Sequence, residues 1–189
     1  MKLYAIRIKP ESPFGSPLSG DTIFGHFCWQ LNYDSSLVEG GIDAAIKVYP
    51  EKPFAVFSSA LQLVRLEREE KYLLKRPDMP LGYLFDRALL QEPLKRKQCK
   101  KRRWLISAIS PFISVRDEML HSRQELVEEL RLDLPAETTV AHNTINRLTG
   151  TTGKAHFAPY NMPACFYPED TLLDILVLID QDLTDAQKI

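Results

Sequence analysis

Cysteine is scarce in this chain. Cys28, Cys99 and Cys165 are three in 189 residues, dozens of residues apart, with no CxxC pair and no histidine at ligand spacing, which excludes a disulfide scaffold and a zinc site. Long hydrophobic runs are missing as well. The longest, Ile175 to Ile179, is far too short to cross a bilayer, and Met1 to Lys9 lacks the apolar core of a secretory signal, so a cytoplasmic protein is expected. Nor is there an excess of one charge. Lysine and arginine number 24 against 25 acidic residues, a net charge of −1, which excludes a uniformly basic, histone-like binder. With 44% hydrophobic, 26% charged and 10% aromatic residues, the chain reads as a folded protein rather than a disordered, collagenous or coiled-coil one.

The charge that is present is unevenly laid out. Residues 1 to 104 hold 18 basic and 12 acidic side chains, whereas residues 105 to 189 hold 6 and 13. That asymmetry points to an anionic partner on one side and a basic one on the other. Residues Lys2 to Lys9 alternate as a half-buried strand, with Tyr4, Ile6 and Ile8 on one face. Pro10, Pro13 and Pro17 with Gly15 and Gly20 then forbid regular structure. In Thr22 to Asn32, Ile23, Phe24, Phe27, Cys28 and Leu31 form one helical face and Thr22, Gly25, His26 and Trp29 the other. Gly25 weakens that helix by about 1 kcal/mol, so a close backbone neighbour or a ligand is expected beside it.

Further on, the pattern predicts a short helix over Ile42 to Tyr49, a buried strand over Phe54 to Val64, a strand or hairpin arm over Leu66 to Arg76, and a helix over Tyr83 to Gln91. Arg116 to Leu134 suits a surface helix with Glu125, Glu128 and Glu129 toward water, with a strand and a loop left open by propensity. Thr138 to Arg147 is rich in threonine and asparagine and favours an extended arm. Gly150 and Gly153 mark the tip of a hairpin that returns through Phe157 and Tyr160. Leu172 to Ile179 is a nearly continuous apolar strand that needs cover on both faces, and Thr184 with Gln187 forms a capping-box pattern after it. This strand either completes the first domain or opens a second. The second placement is adopted, giving domains over 1–168 and 169–189.

Three segments have the chemistry to hold single-stranded RNA, which is gripped by cations along phosphates, by backbone N–H groups and by aromatic faces under bases. The loop with Ser12, Phe14, Gly15 and Asp21 can present N–H groups at a helix start and a stacking ring, with His26 of the helix that follows counted among the RNA contacts, or it is only a proline-rich connector. Lys95 to Arg103 contains Lys100, Lys101, Arg102 and Arg103 followed by Trp104. It can neutralise phosphates and stack a base, or it is a solvated loop beside a core tryptophan. His142, Asn143, Asn146 and Arg147 can read base edges from the extended arm, or they belong to a polar hairpin turned to solvent. Asp117 with Glu118, and Asp180 with Asp182, lack a third ligand and are read as solvated turns. No metal or cofactor is expected.

The stretch Ser12-Pro-Phe-Gly-Ser-Pro-Leu-Ser-Gly-Asp-Thr-Ile-Phe-Gly-His-Phe-Cys-Trp resembles the first loop and helix of the RAMP proteins of CRISPR systems. His142-Asn-Thr-Ile-Asn-Arg-Leu-Thr-Gly narrows the resemblance to subunit four of the type III-A Csm interference complex. It implies an α+β fold: a ferredoxin-like (RRM-type) domain with large insertions, followed by the start of a second. It also implies a non-catalytic task, holding the 5′ tag of the CRISPR RNA, capping the backbone RAMP subunits and docking the large polymerase-like subunit. The family's late glycine-rich loop has no counterpart, since no glycine follows Gly153, and the sequence is read as cut off early in its second domain. The rival reading is a metal-independent endoribonuclease that processes CRISPR precursor RNA, with His26 as general base on a ribose 2′-OH.

Overall fold

In the computed structural model, residues 1–38, 40–108, 114–145, 147, 149–152 and 158–180 are described. The alternating N-terminus forms β1 (Lys2–Ile8) and the amphipathic stretch after the prolines forms α1 (Gly20–Tyr33). After α2 (Gly41–Lys47), the expected strand over Phe54 to Val64 is two strands, β2 (Ala55–Phe57) and β3 (Leu61–Leu66). The break between them has a physical cause. The Ser58 hydroxyl accepts from the Leu176 N–H at 2.9 Å, and the start of α1 docks here, with Gly20 N–H donating to Ser59 Oγ at 3.2 Å and Ala60 N–H to the Leu18 carbonyl at 2.8 Å.

Gly20 is required at this junction. A Cβ on it would sit 2.5 Å from the Phe57 carbonyl oxygen and 3.2 Å from the Ser58 carbonyl carbon, both backbone atoms that cannot swing aside. Gly20→Ala is expected to lower the unfolding free energy by about 2 kcal/mol, as overpacking does, measured by urea denaturation. An unchanged midpoint would show that the junction yields freely.

β4 (Glu69–Lys75) returns from β3 as a hairpin, followed by the short helices α3 (Leu81–Leu84), α4 (Arg87–Gln91) and α5 (Pro93–Lys101). The helix expected over Tyr83 to Gln91 is thus divided, because the Asp86 carboxylate accepts from Ala88 N–H and starts a new one. β5 (Trp104–Ser107) and β6 (Leu120–His121) follow, then α6 (Arg123–Glu128). Six of the residues 116–134 are therefore α-helical, and a short strand and loop, the alternative to a surface helix there, take up the rest apart from the 3-10 turn Asp117–Met119. Leu120 pairs with Leu105 and is buried, and the Ser122–Glu125 capping box starts the helix immediately afterwards. Leu130, Leu132 and Leu134 then fold back over the core. β7 (Ala136–His142) and β8 (Tyr160–Phe166) form a separate ribbon, and β9 (Leu172–Ile179) completes the order.

The main sheet is antiparallel throughout, ordered β1-β9-β3-β4-β5-β6, with β2 also pairing β9. β1 and β2/β3, joined through α1, run parallel with β9 between them, a split β-α-β arrangement. Leu172 to Ile179, expected to open a second domain over 169–189, is paired in the structure with β1 on one edge and with β2 and β3 on the other. The strand lies inside the sheet that β1 opens, in register from Ile8↔Leu173 to Lys2↔Ile179, and β2 and β3 hold its other edge. β1 and β2/β3 satisfy its two edges, whereas the expected cover of both faces is uneven: Leu173, Ile175 and Val177 are buried on one, and Leu178 on the other is 38% exposed. The capping pattern at Thr184 lies outside the described residues.

One sheet face is covered by α1, whose Phe24, Phe27, Cys28 and Leu31 pack on Phe54, Ala55 and Phe57, and farther along by Leu126 of α6 on Val64, Leu73 and Ile106. On the opposite face, α3 to α5 place Leu84, Phe85 and Cys99 over Leu105 and Leu120. The same face carries Asp174 of β9, buried at 1% exposure, which accepts Arg7 Nε at 2.8 Å, Arg7 Nη2 at 3.0 Å and Tyr72 OH at 2.6 Å. Glu70 joins Arg7 to Arg65 at its outer edge. No described helix is long and apolar enough to cross a membrane.

Candidate nucleic-acid interface

The proline-rich loop and the extended arm are far apart in sequence and meet in space. Phe14 N–H donates to the Cys165 carbonyl at 3.1 Å and Cys165 N–H to the Phe14 carbonyl at 2.9 Å, so the loop adds one β-bridge to the outer edge of β8. The Phe14 ring stands edge-on to Tyr167 with centroids 6.0 Å apart. That contact occupies the ring expected to stack on a base. Ser12 and Gly15 are exposed beside it, Gly15 facing the Pro163 carbonyl.

Asp21 lies in the first turn of α1, where its carboxylate accepts from the Ser19 hydroxyl and from Thr22 N–H. The Ser19 contact, then the Thr22 N–H, holds it below its ordinary carboxylate range. The helix start thus already has its own anion. With Gly20 N–H on Ser59 and Ile23 N–H on the Ser19 carbonyl, few donors remain there for a phosphate.

His26 is exposed on the outer side of α1 beside Trp29. Among the described residues no side chain is hydrogen-bonded to it. Among the described residues outside its own helix, nothing lies within 4 Å of where a Cβ on the neighbouring Gly25 would be, so the close neighbour expected there is not among them.

The basic run is a helix, α5, with Pro93 in its first turn. Lys95 is tied to Glu92 at 2.8 Å, but among the described residues Arg96, Lys97, Lys100, Lys101 and Arg103 have no carboxylate within ion-pair range. Arg102 stands apart from them. Its guanidinium meets Glu125 at 2.7 and 3.1 Å, and its carbonyl accepts from Arg76 Nη1 at 3.0 Å, so it ties α5 to α6 and β4. Burial raises the Glu125 pKa, but the Ser122 N–H and Arg102 outweigh it and hold the carboxyl below its usual value. Trp104 is partly buried and packs on the Val64, Leu73 and Ile106 core.

The arm is a two-stranded ribbon of seven residue pairs, Ala136↔Phe166 at its root and His142↔Tyr160 at its far end, a reach of roughly 20 Å. Its residues are mostly exposed. At the far end the His142 and Tyr160 rings stack, 5.6 Å apart and 18° from parallel, with Tyr160 at 47% exposure. Asn143 and Arg147 follow His142 and are exposed; Asn146 and Phe157 lie outside the described residues. The loop and the arm root therefore form one assembly and the arm tip carries the amides, while α5 shares no hydrogen bond or ion pair with either among the described residues. Tyr160 enters the hairpin reading only as a return position. Its pairing with His142 follows from the register of the ribbon, which the sequence does not show. The acidic pairs are accounted for locally, by the Arg116–Glu118 contact at 3.5 Å and the Lys52–Asp180 contact at 3.4 Å, and Asp182 lies outside the described residues.

No protein-family model matches the chain, and no curated protein matches it in sequence. Solved structures do. One is a Csm1-Csm4 cassette in complex with cA4, with a TM-score of 0.51 and 16% identity, in which 97% of this chain overlays on 61% of the matched chain. Cassettes in complex with pppApA and AMPPNP match with TM-scores of 0.52 at 15% and 14% identity. The chain shares its fold with a chain of a Csm1-Csm4 cassette. It spans about three-fifths of the length of the chains it matches, and at such identity the likeness is one of fold.

Proposed function

We propose that the chain is a non-catalytic RNA-binding subunit of a type III-A CRISPR effector complex. In this reading it holds the 5′ tag of the CRISPR RNA, contacts the backbone RAMP subunit and docks the large polymerase-like subunit. The observation that carries the reading is the exposed ribbon β7–β8, rooted on Phe14 of the proline-rich loop and bearing His142, Asn143, Tyr160 and Arg147 at its far end. Amides and stacked rings on an accessible strand pair suit unpaired bases, and the unpaired cations of α5 suit phosphates. The split β-α-β unit fits the opening of a ferredoxin-like domain whose third strand is Leu172–Ile179, with β4 to β8 as its large insertion. The fold likeness to Csm1-Csm4 cassettes agrees with this.

The test is retention of a repeat-tag RNA on a filter at low salt. Loss of stacking at Tyr160→Ala is expected to weaken binding by about tenfold, since base stacking on a ring contributes ~1–3 kcal/mol. Equal binding by variant and wild type would remove the arm from the reading. The nuclease rival is separated in the same tube: metal-free cleavage of repeat RNA to cyclic phosphates, abolished by His26→Ala, would replace the scaffold with an enzyme.

A further inference from the structure

The outer side of α1 is a surface that the fold leaves without a partner. Phe24, Phe27, Cys28 and Leu31 turn toward β2 and its neighbours, and at 100° per residue Thr22, Gly25, His26, Trp29 and Tyr33 fall on the opposite side. Trp29 is 60% exposed and Tyr33 75%, and their rings lie 6.2 Å apart at 31°. One turn before Trp29, Gly25 leaves the helix backbone bare, with no atom of the described residues beyond its own helix within 4 Å of where a Cβ would be. Glycine weakens a helix relative to alanine. Among the described residues nothing crowds this position, so it is open to a side chain from outside.

Charge decides what kind of surface this is. Of the 14 residues of α1 only Asp21, in the first turn, is charged, and none is Lys or Arg, in a chain that is 26% charged. RNA affinity draws heavily on cations along phosphates, and this helix offers no Lys or Arg, so its exposed rings suit a protein partner better than RNA. Exposed Trp and Tyr in a charge-depleted setting are instead the composition of the centre of a protein interface. This side of the helix has no Lys, Arg or carboxylate beyond Asp21 to pair a charged partner side chain, so an uncharged complementary surface is the one that loses least on burial.

We propose that the Gly25–Trp29–Tyr33 face of α1 is the docking surface for the second protein of a two-protein cassette, and that this partner brings an uncharged, aliphatic helix whose side chain enters the notch above Gly25. The proposal rests on the function proposed above, which supplies the partner as the large polymerase-like subunit.

The experiment mixes the full chain with its cognate large subunit and measures affinity by titration, with tag-RNA retention measured alongside. Trp29→Ala combined with Tyr33→Ala is expected to weaken the protein complex at least about 100-fold, because interface aromatics are the residues whose truncation is most damaging, while RNA retention stays as in the wild type. Gly25→Ala gives the sharper readout. It is expected to raise the melting temperature of the free chain, since alanine favours the helix, and yet to weaken docking at least tenfold by filling the notch. Wild-type affinity in all these variants would overturn the docking surface while leaving the cassette reading intact. Failure of the wild-type chain itself to bind the large subunit would overturn both. A loss of RNA retention with docking unchanged would make the face an RNA surface, and a wild-type dimer that dissociates on Trp29→Ala would make it a contact between copies of this chain; either replaces the proposal.

Discussion

Replacing Asp174 with alanine is expected to lower the unfolding free energy by about 3 kcal/mol, the lower end of the range for breaking a buried ion pair. The carboxylate is buried in the middle strand of the sheet and takes two hydrogen bonds from Arg7 and one from Tyr72. Arg7 is 45% exposed, so water can recover part of what its guanidinium loses. The loss falls mainly on Tyr72, whose hydroxyl is left without its acceptor, and on the cavity in β9. The contribution depends on pH. Arg7 first, and then Tyr72, hold the Asp174 carboxyl below its ordinary value against the opposing effect of burial. Its stabilisation is therefore complete above the unfolded value near pH 4 and is lost as pH falls through the folded value. The gap between wild type and Asp174→Ala, measured by denaturant titration at several pH values, should be widest near neutrality and close in acid. On the alkaline side, burial and the Asp174 hydrogen bond push the Tyr72 hydroxyl up to about 12. The unfolded tyrosine ionises near pH 10, so the wild type should lose stability as pH rises from 10 toward 12. A gap of the same size at all pH values would mean that the loss is one of packing alone.

This network shows where sequence reading succeeds and where it stops. The period of two in Lys2 to Lys9 and the helical spacing of Phe24, Phe27, Cys28 and Leu31 report burial against one neighbouring layer, and both elements form close to their expected bounds. Local periodicity carries no address for the partner strand. Leu172 to Ile179 is legible as a buried strand, yet its position between β1 and β3 depends on pairings across more than 100 residues. The only local hint was Asp174, a charge inside an apolar run that must find a cation on a neighbouring strand, and Arg7 is that cation.

In the stretch 116–134 the choice between a helix and a strand with a loop is likewise decided by the fold. Its apolar spacing suits a helix, but tertiary pairing of Leu120 with Leu105 outweighs propensity, and the Ser122–Glu125 cap was hidden inside the helical spacing. The candidate interface divides in the same way. Composition marks the basic run and the amide-rich arm, since exposure follows from their polarity. It cannot show that Arg102 is committed to Glu125 or that Phe14 is bridged to Cys165, because both depend on which residues the fold brings alongside.

The separation of Arg102 from the other cations of its run sharpens the last prediction. Reversing Lys100, Lys101 and Arg103 together to glutamate should reduce tag-RNA retention by about 100-fold at low salt, each reversal acting through roughly 1 kcal/mol of exposed Coulomb energy. These side chains form no ion pair among the described residues, so the fold should keep its melting temperature. Arg102→Glu is the opposite case. It places a carboxylate against Glu125 and removes the link between α5 and α6, so its damage should appear in the melting temperature. The salt dependence distinguishes a phosphate role from general repulsion. If the three residues each neutralise one phosphate, the slope of log affinity against log salt should fall by roughly 2, at about 0.7 per contact on a single strand. A loss of affinity with the slope unchanged would mean that α5 lies near the RNA without touching it. Retention equal to wild type would confine RNA contact to the arm and its root, leaving the basic helix to face an acidic protein surface.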